Sequence, residues 1–134
     1  MVETRVLLEN QAARTAAMRR TVDDIINMKN ALDAYEAKVK EGLPAVEEDL
    51  LFHLKIAEAG RNSVLKSLML IITPDIVKNF QKLDVCKDGR FYKSLEEHKV
   101  ILEHIVNQAP ELAAKAMEEH LQDVTDYSQT INEK

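Results

Sequence analysis

Asp49 and His53 stand four residues apart in the stretch VEEDLLFHLKIAEAG, residues 46–60, which otherwise has the apolar spacing of a buried helix. Positions i and i+4 of a helix lie one above the other, so the carboxylate and the imidazole project from one face. Val46, Leu50, Ile56 and Ala57 share that face, so both polar groups point where the apolar residues point. Two more histidines repeat the pattern. His98 shares a stripe with Ile101, Leu102 and Ile105, and His120 shares one with Ala113, Ala116, Met117 and Val124. His104, six residues after His98, lies well round the helix from it and is left out of the set.

A single buried imidazole is ordinary and usually finds one hydrogen bond. Three of them from three helices, with a carboxylate beside one, shift the balance, because each left unpaired costs on the order of a few kcal/mol. One divalent cation satisfies all four groups together. Neutral imidazole and carboxylate are ligands for a borderline metal, and an i,i+4 pair on a helix is a chelating geometry. The spacing nominates Asp49, His53, His98 and His120 as ligands of a divalent transition metal, zinc first, with nickel, manganese and iron as alternatives. Two plainer readings compete: an Asp–His hydrogen-bond network without metal, and an Asp49 solvated like its neighbours Glu47 and Glu48.

Helices must position these groups. Gly and Pro number three each in 134 residues, Trp is absent, and period-2 alternation is nowhere sustained. Apolar residues recur at helical spacing over 2–20. Thr21 and Asp24 form a capping box for a second helix that stops near Gly42 and Pro44. The third carries Asp49 and His53 and ends near Gly60. Asn62 is placed to cap a fourth over 63–73, which Pro74 breaks or kinks before residues 75–83. DVCKDGRF, residues 84–91, is the most loop-like stretch. Ser94 and Glu97 read as a capping box opening a helix over 94–108, and Pro110 as the first position of a last helix reaching about Tyr127. The expected architecture is all-α, one domain over 1–134, an antiparallel bundle of six to seven helices around a central cavity.

Composition narrows the function. A hydrophobic fraction of 46% excludes wholesale disorder, and a formal charge of −5 argues against a broad nucleic-acid-gripping surface. The single Cys86 rules out an internal disulfide and suits a reducing, cytoplasmic setting. The longest apolar run, LMLIIT, is far short of the ~20 residues of a membrane span.

Three segments together, EEDLLFHLKIAEAGRN, SLEEHKVILEHI and APELAAKAMEEHL, resemble the FCD effector-binding domain of FadR-type regulators in the GntR superfamily. The D-x-x-x-H pair falls on Asp49 and His53, the E-H-x-x-I/L histidine on His98, and the A-M-x-x-H-L histidine on His120. The opening ETRVLLENQAARTAA resembles the family's first helix with its E-x-R-x-x-L-E start. The resemblance implies a helical bundle with a metal in a cavity and a small organic acid bound against it: a sugar acid, hydroxy acid or dicarboxylate. It nominates Arg5 and Asn62 as effector contacts. Arg5 could clamp a carboxylate in bidentate fashion, or pair locally with Glu9 at i,i+4. GRNS stands where the family often has S-G-N-P, which weakens the case for Asn62. The resemblance also implies homodimers, and DNA contact only through an N-terminal winged helix-turn-helix absent from this chain. Because Met1 abuts the first bundle helix, the chain reads as a fragment of a longer regulator.

The expected function is therefore a sensor and not an enzyme. The alternative is a metal-dependent hydrolase or oxygenase, since such a metal can activate water or dioxygen. Glu58 and Glu103, the remaining acids near the stripes, read more simply as surface residues. A metal-free interaction bundle is the third reading.

Overall fold

Thr21 opens the second helix as its spacing predicts. Its side chain accepts the backbone N–H of Asp24, and the Asp24 carboxylate accepts that of Thr21. The computed structural model describes the backbone of residues 2–83 and 90–132, and the side chains of 3–72, 74 and 92–123. Within these residues six helices follow one another: α1 (Val2–Arg19), α2 (Val22–Lys40), α3 (Val46–Ala59), α4 (Ser63–Leu83), α5 (Arg90–Val106) and α6 (Pro110–Asn132). The architecture is the expected all-α antiparallel bundle. No described helix is long and apolar enough to cross a membrane.

The helix ends follow the local chemistry. After α2, Gly42 takes φ 72°, and the N–H groups of Gly42 and Leu43 reach back to the carbonyls of Val39 and Lys38. Gln108 (φ 54°) ends α5 in the same way, with Gln108 and Ala109 bonding back to Ile105 and His104. Asn62 caps α4: its Oδ1 accepts the N–H of Leu65 at 3.0 Å. Pro110 is the first residue of α6, where its missing N–H leaves nothing unpaired.

Three boundaries differ from the sequence reading. Pro74 does not break the fourth segment: α4 runs through it, and Pro74 is exposed. An exposed position lets water take the carbonyl that the proline ring leaves without its helical partner. Ser94 and Glu97 do not cap a helix. The fifth helix already begins at Arg90, so Ser94 is a buried interior residue. The last helix extends to Asn132, past Tyr127. Of DVCKDGRF, residues 84–89, Cys86 among them, lie outside the described residues, while Arg90 and Phe91 are helical.

α1 packs against α3, α4, α5 and α6. Its contact surface is small-residue: Ala12, Ala13, Ala16 and Ala17 are all buried, with Ala113 and Ala114 of α6 buried as well. Small side chains let helix axes approach closely, and Gly60 shows how closely. A Cβ there would collide with Thr15 Oγ1 and lie 3.1 Å from Thr15 Cβ. At the same end of α1, Arg19 donates to the Gly60 carbonyl (2.9 Å) and Arg20 to the Val106 carbonyl (2.7 Å). Both place a cation on a helix C-terminus, where the helix dipole favours it. Larger side chains, Met28, Tyr35, Phe52, Ile56, Ile101, Ile105 and Met117, fill the remaining core.

Candidate metal centre

Four polar residues sit inside this core. His98 is fully buried, His53 and His120 are 2% exposed and Asp49 is 7% exposed. Asp49 and His53 come from α3, His98 from α5 and His120 from α6. Each offers one ligand atom, and those atoms all lie within 4.8 Å of one another. The structure thus brings together the four residues the spacing nominated. Asp49 Oδ1 is 3.2 Å from His53 Nε2 and 3.0 Å from His98 Nε2. The rings pack edge to face or stacked, with centroids 4.7 Å apart for His98–His120, 5.2 Å for His53–His98 and 5.7 Å for His53–His120.

Hydrogen bonding satisfies the gathering poorly. Asp49 Oδ1, His53 Nε2 and His98 Nε2 are buried with no hydrogen bond of proper geometry, as are His98 Nδ1 and the facing pair Glu9 Oε1 and His53 Nδ1. Buried polar atoms left so are rare and costly. A divalent cation fits Asp49 Oδ1 and one nitrogen of each ring, because imidazole nitrogens and a carboxylate oxygen facing one small volume are lone-pair donors.

Charge supports the same view. Burial alone would disfavour every charge here. Asp49 is nonetheless held well below the ordinary carboxylate range by His53 and His98. Burial pulls His53 down, but Glu9 and Asp49 outweigh it and carry the ring up to about 9. Burial lowers His98 and, with the neighbouring rings His98 and His53, takes His120 well below the usual range. Those two rings are therefore neutral at pH 7, the form a metal requires, whereas His53 is a cation without metal and gives up a proton to ligate.

Two outer carboxylates were not read as part of the site. Glu9 of α1 is 1% exposed. One of its oxygens contacts His53 Nδ1, and the other accepts Arg5 Nε at 2.5 Å. Burial raises Glu9, but Arg5 and His53 bring it down to about 2. Glu97 of α5, expected in a capping box, instead meets His120 Nδ1 at 2.8 Å. Only the apolar neighbours of Glu9 along α1 could have signalled its burial. Tyr35 and Phe52 flank His98, each with ring centroids 4.9 Å from it.

The two nominated effector contacts, and the residues set aside in the sequence, sit as follows. Arg5 is largely buried and paired with Glu9. Asn62 is exposed, at the cap of α4. His104 is partly buried and outside the cluster. Glu58 pairs with Lys55 and Lys66, and Glu103 is exposed, the surface roles expected of them.

Known proteins match this chain in sequence and fold. The FCD domain matches residues 1–123. The Uxu operon transcriptional regulator of Escherichia coli K12 is 33% identical over 133 residues, covering 92% of this chain and 51% of that protein. The galactonate operon transcriptional repressor of the same organism is 28% identical over 116 residues, covering 87% and 51%. Among solved structures, a GntR protein of Streptococcus agalactiae superposes with a TM-score of 0.77 at 28% identity, over 92% of this chain and 55% of that one. E. coli McbR/YncC, with a TM-score of 0.78 at 16% identity over 96% and 65%, shares the fold. The chain thus spans about half the length of these curated relatives. A helical bundle matched from residue 1 to residue 123, with relatives that are GntR-type regulators, makes this chain a member of the FCD domain family.

Proposed function

We propose that this chain is the effector-sensing domain of a GntR-type transcriptional regulator, holding a divalent metal at Asp49, His53, His98 and His120 and a small organic acid against it. The observation that carries the reading is the group of four buried ligand atoms, all within 4.8 Å of one another, at the centre of the bundle. A bound cation would supply a Lewis-acid anchor for a carboxylate or hydroxyl oxygen. Zinc is the first choice, with nickel, manganese or iron suited to the same ligands. Arg5 is the proposed clamp for the acid group. Its Nε is taken by Glu9, but its two Nη nitrogens bond no described residue. Asn62, with Oδ1 committed to the cap, keeps its Nδ2 for a second contact.

The charges favour one class of acid. Asp49, Glu9 and Glu97 bring three negative charges, which Arg5 and a divalent cation balance. A monocarboxylate with hydroxyl groups adds one charge to that balance, and a dicarboxylate two. One relative is named a galactonate operon transcriptional repressor, after an operon that carries the name of a sugar acid of the first kind. Acid binding would bias the bundle between two arrangements and so control a DNA-binding domain elsewhere in the full regulator, which acts as a homodimer on two-fold DNA sites.

Protein purified without a metal-binding tag should contain close to one equivalent of a divalent metal by elemental analysis. Sugar acids and hydroxy acids should then raise its unfolding temperature by mass action, without being consumed. Metal-free protein that ignores added metal overturns the reading, and turnover of a stabilising acid replaces it with an enzyme.

A further inference from the structure

Glu9 is buried at the centre, yet it belongs neither to the ligand group nor to the acid clamp. A carboxylate so deep persists only if both its oxygens are engaged. Here one holds Arg5 Nε and the other faces His53 Nδ1. In a ring that ligates a metal, the nitrogen facing an outer carboxylate keeps its proton, and the opposite nitrogen gives its proton up and presents its lone pair. For His53 that opposite nitrogen is Nε2, the atom beside Asp49 Oδ1. His120 is held likewise, with Glu97 at its Nδ1. His98 differs: aromatic rings flank it, and no acid is paired with its Nδ1 as Glu9 is with His53 Nδ1 and Glu97 with His120 Nδ1.

We propose that Glu9 is a positioning residue for the metal centre. Reaching from α1 to α3, it fixes His53 as the Nδ1–H tautomer and aims Nε2 at the cation. The same carboxylate grips Arg5 by Nε and leaves the Nη edge of the guanidinium open to an acid. The inference rests on the metal-site reading above. It adds that α1, which supplies no metal ligand, sets the affinity of the site and couples it to the effector clamp.

The test compares the whole chain, wild type, Glu9→Gln and Glu9→Asp, loaded with zinc alone. Zinc affinity is measured by competition with a chromophoric chelator, the His53 tautomer by long-range proton–nitrogen correlation of the imidazole rings, and folding by circular dichroism of the metal-free forms. Wild type should show a proton on His53 Nδ1 and zinc on Nε2. Glu9→Gln should bind zinc about tenfold to a hundredfold more weakly, with the His53 tautomer signal split or reversed. Glu9→Asp, which keeps the charge on a shorter arm, should recover part of the affinity. Zinc binding by Glu9→Gln within about twofold of wild type, with His53 unchanged, overturns the role of Glu9 and leaves the metal site standing. If Glu9→Gln does not fold, the wild-type spectrum decides, since zinc on His53 Nδ1 also overturns the inference. A wild-type chain that takes up no divalent metal overturns site and positioning residue together.

Discussion

The two halves of α1 make opposite contributions. Its C-terminal half presents Ala12, Ala13, Ala16 and Ala17, each at most 1% exposed, to neighbours so near that Gly60 has no room for a Cβ beside Thr15. Its N-terminal half buries Glu9 and most of Arg5, and reaches the cluster through charge. One half is held by shape and dispersion among small groups, which need no partner beyond close contact. The other contains groups that are unfavourable in a core unless something charged faces them. Close packing and the charges beside the proposed metal centre are therefore carried by different residues of one helix, and substitution should separate them.

The largest expected effect breaks the polar side of that contrast. With free zinc about a thousandfold above Kd, wild type should gain about 4 kcal/mol of stability. His98→Ala should keep its helical signal and lose that gain, as read by denaturant unfolding with and without metal. A variant still stabilised by zinc would place the metal elsewhere. Next comes the packing side. Ala16→Leu overfills the seam and should cost about 1–3 kcal/mol, equally with and without zinc, while the folded fraction keeps its full metal content. A lower metal content would mean that seam and centre are one cooperative unit.

Asn62→Ala tests a residue with two assigned roles. Loss of the α4 cap should lower stability by about 1 kcal/mol, with or without acid. Any additional fall in acid-induced stabilisation measures what its Nδ2 contributes to binding. The smallest effect belongs to Glu111, the exposed partner of Arg14 across α1 and α6. Glu111→Gln should leave the unfolding midpoint unchanged, because water screens that pair.

Helical phase made the bundle and the four central residues legible. An apolar stripe tells which way a side chain points, and Asp49, His53, His98 and His120 each lie on one. Phase says nothing about which residue of another helix waits opposite. Glu9 and His53 are 44 positions apart, so the only partner for Glu9 visible in the sequence was Arg5, one turn away, and the pair looked like an ordinary surface bridge. Glu97 was misread for a related reason. Its spacing from Ser94 fits a capping box, but the helix had already started at Arg90, leaving the carboxylate for His120. Pro74 shows the limit of local rules, since the cost of its missing hydrogen bond depends on exposure, which spacing does not report.

The two arginines at the end of α1 have a mechanical consequence. Arg19 and Arg20 pin that end to the last carbonyls of α3 and α5. An 18-residue helix is about 27 Å long, so a tilt of roughly 4° about the pinned end carries the opposite tip through about 2 Å. Glu9 lies about 15 Å along that rod, so a shift of about 1 Å where it meets His53 becomes about 2 Å at the free tip, with the fulcrum at Arg19 and Arg20.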